Sequence, residues 1–413
     1  MVKRITAIAL IFACASVAWV ILGATIFSRT YSSDEYAEPR VVSLWGAPHN
    51  QSPPSASAAR LVPKTTETVE NGKKKVSTEQ VTESVGLPIE GSRVDVALSL
   101  EHRRKGLLWY STYKVGFAGR YTFRNTSDSE RVTFALKFPA GRAVYDDLVF
   151  AIDGAPAALA TAGDTVSAVA RIAPGQSAAL DVSYRSQGLT EWRYNFGGGD
   201  VAQVRDFRMK MTTDFKEIDF PENTISPSEK REAGGGWELE WNYTNLVSGF
   251  QIGMLMPEKL QPGPLAGRIS FFAPVSLFFF FFLMFIITTM RGIELHPMNY
   301  FFLAAAFFSF HLLLAYLVDH VSIHAAFAAS SAVSILLVIS YLRLVTGVSF
   351  AVREAGVAQF IYLVMFSYAF FFKGFTGLAI TVGSILTLFV VMQITGRVRW
   401  ADKFTVKPTA GAT

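Results

Sequence analysis

Between Ile269 and Thr395 the chain contains five apolar segments separated by short loops: roughly Ile269–Met290, Met298–Val318, Ile323–Leu342, Gly356–Phe372 and Phe375–Thr395. At 1.5 Å of rise per residue each is close to the length that crosses a hydrocarbon core of about 30 Å. Short loops make consecutive helices antiparallel neighbours, which predicts a five-helix transmembrane bundle. A sixth apolar run, Ile5–Phe27, follows the positive pair Lys3 and Arg4. It passes Gly23 and Ala24 without a small-residue cleavage pattern, and Phe12 stands where a lipoprotein signal before Cys14 would need a small residue. It therefore reads as an uncleaved signal anchor. Composition agrees: 51% hydrophobic residues, 17% charged and 35 phenylalanines are too apolar for an ordinary soluble enzyme.

Lys3, Arg4, Arg291, Arg343, Arg353, Arg397, Arg399 and Lys403 fall on one side of this arrangement, and Lys373 is the one basic residue of a short loop on the other. The bias predicts that both termini are cytoplasmic and that residues 28–268 lie outside, with Arg29 and Arg268 flanking them. The net charge of +5 is thus read as a topology signal, and no nucleic-acid partner is expected. A single cysteine excludes a disulfide framework and a thiolate metal site.

Within the outer half, residues 28–91 are rich in Pro, Ser, Thr and charge and read as an extended linker, with Leu44 and Trp45 packing locally or in the bilayer interface. From Ser92 the hydrophobic period becomes two. Val94, Val96, Leu98 and Leu100 alternate with polar or small residues, as do Val132, Phe134, Leu136 and Phe138, and similar short runs recur to Pro257. The pattern predicts an all-β, sandwich-like domain over 92–267. That domain holds no nucleophile elbow, no zinc-binding helix motif and no phosphate loop. The triple glycine at 197–199 reads as a strand terminator, and the carboxylates Asp146, Asp147, Asp214, Glu217 and Asp219 as solvated loops. No catalysis and no cofactor or metal is expected.

The hairpin "EHRRKGLLWY" sets Arg103, Arg104 and Lys105 beside Trp109 and Tyr110. Basic plus aromatic side chains suit lipid head groups or an acidic partner. A solvated loop leading into a strand is the alternative.

Four of the six histidines lie between Leu295 and His324. His296 precedes Pro297, a residue favoured in the first helical turn, and so marks the wet start of a span. His311 is 15 residues on, about 22 Å along a helix, while Asp319, His320 and His324 form a group at the opposite rim. His311 and His320 project from opposite faces, so they do not share one metal site. An ionisable group at the depth of His311 either belongs to a proton or ion relay, from Asp319 toward Glu294 or Glu354, or is a neutral ring bonded to Ser309, Ser334 or Ser340 of the bundle.

"RGIELHPMNY" (Arg291–Tyr300), "LAYLVDH" (Leu314–His320) and "TGRVRW" (Thr395–Trp400), set in this layout of anchor, β domain and closing spans, resemble the CreD family of bacterial inner-membrane proteins. His296, Pro297, Asp319 and His320 match the family pattern. "FFKGFTG" departs from it where an acidic loop is usual, and Arg399 stands where an acid precedes the final Trp. The resemblance implies an inner-membrane envelope protein linked to stress or colicin-tolerance phenotypes, without an assigned biochemical activity.

Together these readings predict an anchor at 1–27, a linker at 28–91, a β domain at 92–267, a bundle at 268–400 and a cytoplasmic tail at 401–413. The expected function is non-enzymatic, with the bilayer and an envelope protein or cell wall as partners of the outer domain. The alternative is a secondary transporter or ion-coupled channel using His296, His311, Asp319, His320 and His324.

Overall fold

The computed structural model describes residues 2–70, 73–106, 108–141, 143–197, 201–372 and 374–396. They form two compact units: Met1–Glu35, Gly106–Leu108 and Leu260–Thr413 make the first, and Tyr36–Lys105 and Trp109–Lys259 the second. Lys373, Gly198, Gly199, Arg397, Arg399, Trp400, Lys403 and the tail at 401–413 lie outside the described residues.

Among the described residues of the first unit, six helices are long and apolar enough to cross a membrane. Helix α1 runs Val2–Trp45, α2 Pro262–Arg291, α3 Pro297–Leu317 and α4 Ile323–Thr346; α5 is the continuous helical stretch Val348–Phe371, and α6 is Thr376–Thr395. The boundaries have local causes. Pro262 opens α2, and Gly292, at φ 68°, closes it with its N–H on Thr288 and Thr289 carbonyls. Pro297 opens α3 behind an N-cap His296 whose Nδ1 accepts from the Met298 N–H at 3.3 Å, and Ser322 caps α4 by accepting from the Ala325 N–H.

Two spans differ from the sequence reading. Gly347, at φ 92°, ends α4 and the chain turns straight into α5 at Val348, eight residues before Gly356. Arg353 and Glu354 therefore sit in the first turns of a helix instead of a loop, and two stretches of it, Ala351–Gly356 and Phe360–Met365, are π-helical. The anchor does not stop at Phe27 either, since α1 continues to Trp45.

α1 packs on α2 through glycines. A Cβ on Gly23 would stand 2.8 Å from the Phe271 ring, one on Gly267 3.1 Å from the Phe27 ring, and one on Gly263 2.6 Å from the Thr30 hydroxyl. Without a hydrophobic drive between helices in lipid, such close approach is what association relies on. Further in, Ser334 donates to the Ala306 carbonyl (2.6 Å), Tyr341 to Asn299 Oδ1 (2.7 Å), and Tyr362 to Thr387 Oγ1 (2.9 Å), tying α4 to α3 and α5 to α6.

The strands of the second unit are β1 His49–Gln51, β2 Ser55–Glu70, β3 Lys73–Leu87, β4 Ile89–Lys105, β5 Leu108–Arg124, β6 Arg131–Lys137, β7 Asp146–Ile152 and β8 Ala155–Pro156. There follow β9 Ala160–Ala162, β10 Thr165–Arg171, β11 Ser177–Leu189, β12 Glu191–Tyr194, β13 Ala202–Thr213, β14 Glu229–Ala233, β15 Gly236–Ser248 and β16 Ile252–Leu255. They assemble into an eight-stranded sheet (β14-β15-β13-β4-β5-β11-β7-β8), a five-stranded sheet (β3-β2-β6-β10-β9) and a three-stranded sheet (β1-β12-β16). The alternation seen in the sequence is the burial pattern. Val94, Val96 and Leu98 share one apolar core with Phe117 of the neighbouring strand β5 and with Val132 and Phe134 of the five-stranded sheet.

Residues 28–91 are not an extended linker: after α1 they form β1, β2 and β3. β2 and β3 pair from Ala56↔Leu87 to Glu70↔Lys73, but β2 joins β6 only over Ser55–Ala58. Beyond Ala58 the two strands make a ribbon with no third strand among the described residues, roughly 35–40 Å long at 3.4 Å per residue. Composition misleads here because a two-stranded ladder needs backbone pairing and β-branched residues more than an apolar core. The Thr and Val repeats and the Asn71–Gly72 dipeptide supply that pattern in the sequence.

β1 carries His49 into the core, where it is 1% exposed, edge-on to Tyr113 (5.8 Å) and stacked near Tyr145 (6.4 Å). Neither ring nitrogen has a hydrogen-bond partner among the described residues. Burial lowers its pKa to about 4, against a weaker raising effect of the Gln187 backbone. The folded state therefore holds the ring neutral, and the unfolded chain takes up the proton first. Stability from this group is complete above pH ~6.5 and is lost as pH falls from there toward 4, up to about 3 kcal/mol. Replacing His49→Phe should flatten that part of the stability curve, read as the unfolding midpoint of the purified protein between pH 7 and pH 4.

Candidate functional site

The polar positions of the bundle fall into two rims and a middle. At one rim the Arg29 guanidinium of α1 meets Asp319 at 3.1 Å, donates to the Ala315 carbonyl at 3.0 Å and lies 5.5 Å from the centre of the Tyr316 ring. One side chain thus serves the last turn of α3 twice, by charge and by capping a carbonyl that the helix end leaves open. Asp319 is drawn to α1 instead of joining a cluster with His320 and His324. His320 is exposed, and His324 is exposed with its ring 5.2 Å from that of Phe371. Among the described residues no group of His, Cys, Asp and Glu could hold a metal ion.

In the middle, His311 is 1% exposed. Its Nδ1 donates to the carbonyl of Phe307, one turn back on the same helix, at 3.1 Å. The ring stands edge-on to Trp19 of α1 (5.6 Å) and Phe310 (4.8 Å), while Nε2 has no partner among the described residues. The interhelical bond expected of His311 with a serine does not form. Ser334 donates to Ala306, Ser309 to Ala306 and Ser340 to Leu337, all carbonyls. The geometry is that of a packed ring closing the α1–α3 contact, and among the described residues no carboxylate stands against it to form a relay.

The sequence reading passed over Gln359, a fully buried amide in the run "VAQFIY" of α5. Its Nε2 donates to Ser334 Oγ at 2.8 Å, completing a chain from α5 through α4 to the α3 backbone. It lies between the two π-helical stretches, whose widened turns leave carbonyls available to neighbours, and the Ser276 hydroxyl takes that of Tyr362. A single amide inside an apolar run was the available signal.

At the other rim Arg291 pairs with Glu354 at 2.5 Å, joining the end of α2 to the start of α5. His296 stays at its N-cap, and Glu294 is exposed.

In the β unit the hairpin residues are engaged differently from the expectation. Arg103 and Lys105 lie over the ring of Trp45, at 5.7 and 5.8 Å, and Trp45 meets Tyr110 edge-on at 6.2 Å. Arg103 also donates to Glu101 at 2.8 Å, and this hydrogen bond holds the Glu101 carboxyl below its ordinary pKa, helped by the charges of Arg103 and Lys114. Trp109 takes its cation from Lys259, 3.7 Å from the ring centre. Trp45 therefore docks on the β unit, and two of the three basic residues next to Trp109 in sequence serve Trp45.

The rim pair gives a direct test. Arg29→Asp or Asp319→Arg alone should each lower stability by about 1–3 kcal/mol, having set like charges together. The double exchange should recover part of the loss and not all of it, because the Ala315 carbonyl remains without its donor. Thermal unfolding of the four proteins in detergent reads the cycle.

Comparison with known proteins places this geometry in context. No curated protein matches the sequence significantly. Among solved structures, a candidate nutrient binding protein of Legionella pneumophila aligns at 10% identity over 57% of this chain and 76% of its own, with a TM-score of 0.31. An M1 zinc metallopeptidase of Deinococcus radiodurans aligns at 12% identity over 42% of each chain, with a TM-score of 0.26. Similarity at that level says nothing about activity. The N-terminal apolar helix, the central β sheets and the C-terminal apolar helices are those of a membrane protein. The model of the family described as inner membrane protein CreD matches residues 264–401, and over that stretch, which holds α3 to α6 and nearly all of α2, this chain is CreD-like.

Proposed function

We propose that this protein is a non-enzymatic, multi-pass inner-membrane protein that acts in envelope stress or integrity by holding a β domain outside the cytoplasm for contact with an envelope protein or the cell wall. Both termini are cytoplasmic in this reading, and residues 28–268 are periplasmic. The observation that carries it is the β2–β3 ribbon, which extends past Ala58 without a covering strand. A two-stranded ladder with open backbone edges suits the addition of a strand from a partner. The polar groups of the bundle are meanwhile spent on packing: Asp319 on Arg29, Glu354 on Arg291, His311 on its own helix.

A second reading, transport by the bundle, is favoured by one feature, the buried Gln359 between two π-helical stretches of α5. Complementation separates the two. A strain lacking the gene, challenged with envelope stress, should be rescued by the full chain and by a His311→Phe/His320→Ala variant, but not by a chain whose ribbon is shortened by joining Ala59 to Ser84 through two glycines. Rescue by the shortened chain at normal protein level, together with failure of a Gln359→Leu chain, would move the function into the bundle.

A further inference from the structure

The α1–α2 contact changes character along its length. Near Thr30 the helices meet through Gly23, Gly263 and Gly267, while toward Arg4 there is no glycine on either side of the contact. There Ile5, Ile8 and Phe12 of α1 and Phe278, Phe282 and Phe285 of α2 line an apolar groove of about 260 Å³. From Ile5 to Phe12 it is about 10 Å long, parallel to the helices. Ile5, Phe278 and Phe282 are 37–51% exposed within the protein, so the groove is open along its side.

Its end is charged. The Arg4 guanidinium lies 5.9 Å from the centre of the Phe285 ring, and its Nε and Nη2 are buried with no hydrogen-bond partner among the described residues. The Tyr300 hydroxyl is likewise buried, beside Arg4 and Thr288. Glu354, a carboxylate of the same rim, is held by Arg291, and the Thr288 hydroxyl is given to the Met284 carbonyl. Two buried guanidinium nitrogens with no anion against them among the described residues are costly beside a membrane. Its planar donors fit a phosphate better than any other anion a bilayer offers.

We propose that this groove and Arg4 form a binding site for one phosphate-bearing phospholipid, with an acyl chain between α1 and α2, the phosphate on Arg4 and a hydrogen bond from Tyr300. The apolar slot and the donors share Phe285 as a common wall, which selects a molecule carrying both a tail and an anion. Free phosphate would use only half of the site.

Native mass spectrometry of the full chain released from micelles containing phosphatidylglycerol tests this. The wild-type protein should retain one phosphatidylglycerol, should not retain diacylglycerol supplied in its place, and should keep the lipid in excess inorganic phosphate. Arg4→Gln, which leaves Lys3 in place, should lower the retained fraction about tenfold, the worth of one charge-assisted hydrogen bond. Ala9→Trp, which fills the groove and spares the charge, should lower it similarly. Equal retention of diacylglycerol, displacement by inorganic phosphate, or undiminished retention by folded Arg4→Gln and Ala9→Trp proteins would each overturn the site. The lipid comparison on the wild-type chain decides the matter even where a variant fails to fold.

Discussion

Hydrocarbon offers no hydrogen bonds, and this one lack organises the membrane unit. Serine and threonine hydroxyls there mostly turn back to a carbonyl of their own helix, as Ser16 does to Phe12, Thr30 to Ile26, Ser331 to Phe327 and Ser384 to Ile380. The few that reach across do so to carbonyls or amides already within another helix, and these few bonds fix which helices are neighbours. Ser334 is the clearest case, since it receives Gln359 from one side and serves Ala306 on the other. Removing either partner would strand a polar atom where water cannot replace it.

The β unit faces water and solves the reverse problem, keeping polar atoms inside a large apolar core. Tyrosines do most of it. Tyr113 donates to the Glu191 carbonyl, Tyr184 to Gln51, Tyr145 to the Ala140 carbonyl, and Tyr121 and Tyr194 meet hydroxyl to hydroxyl at 3.2 Å. Each spans core and backbone at once, so the three sheets are registered by rings whose far ends are pinned. Two of these rings occupy space that glycines leave: a Cβ on Gly188 would collide with the Tyr113 oxygen, and one on Gly119 would stand 2.6 Å from the Tyr121 ring. His49 is the exception in this core, a buried ring set against Tyr113 and Tyr145.

How much of this could be read from the chain follows the strength of each local signal. The spans were legible because twenty apolar residues have few other uses, and the strands from Ser92 because a period of two survives in Val94, Val96 and Leu98. The ribbon was hidden by a composition like that of a solvated coil, although its Thr and Val repeats carry a strand pattern. α5 began early because the polar pair Arg353–Glu354 looks like a loop until Glu354 finds Arg291 across the unit. His311 drew attention as an ionisable group at depth, whereas the residue that links three helices is the uncharged Gln359. Partner choice for Arg103 and Lys105 was set by Trp45, some sixty residues away in sequence, which no local pattern announces.

The ribbon carries one more implication. Past Ala58 its backbone pairs with no third strand among the described residues, so the usual register penalty for inserting or deleting residues against a sheet does not apply. The remaining rule is parity: adding one residue to each strand preserves cross-strand pairing but turns the tip over, while adding two to each restores the original face. Length in this region is therefore free to drift among descendants in paired steps, and the part of the molecule least constrained by its own fold is also the part most open to being retuned to a new neighbour.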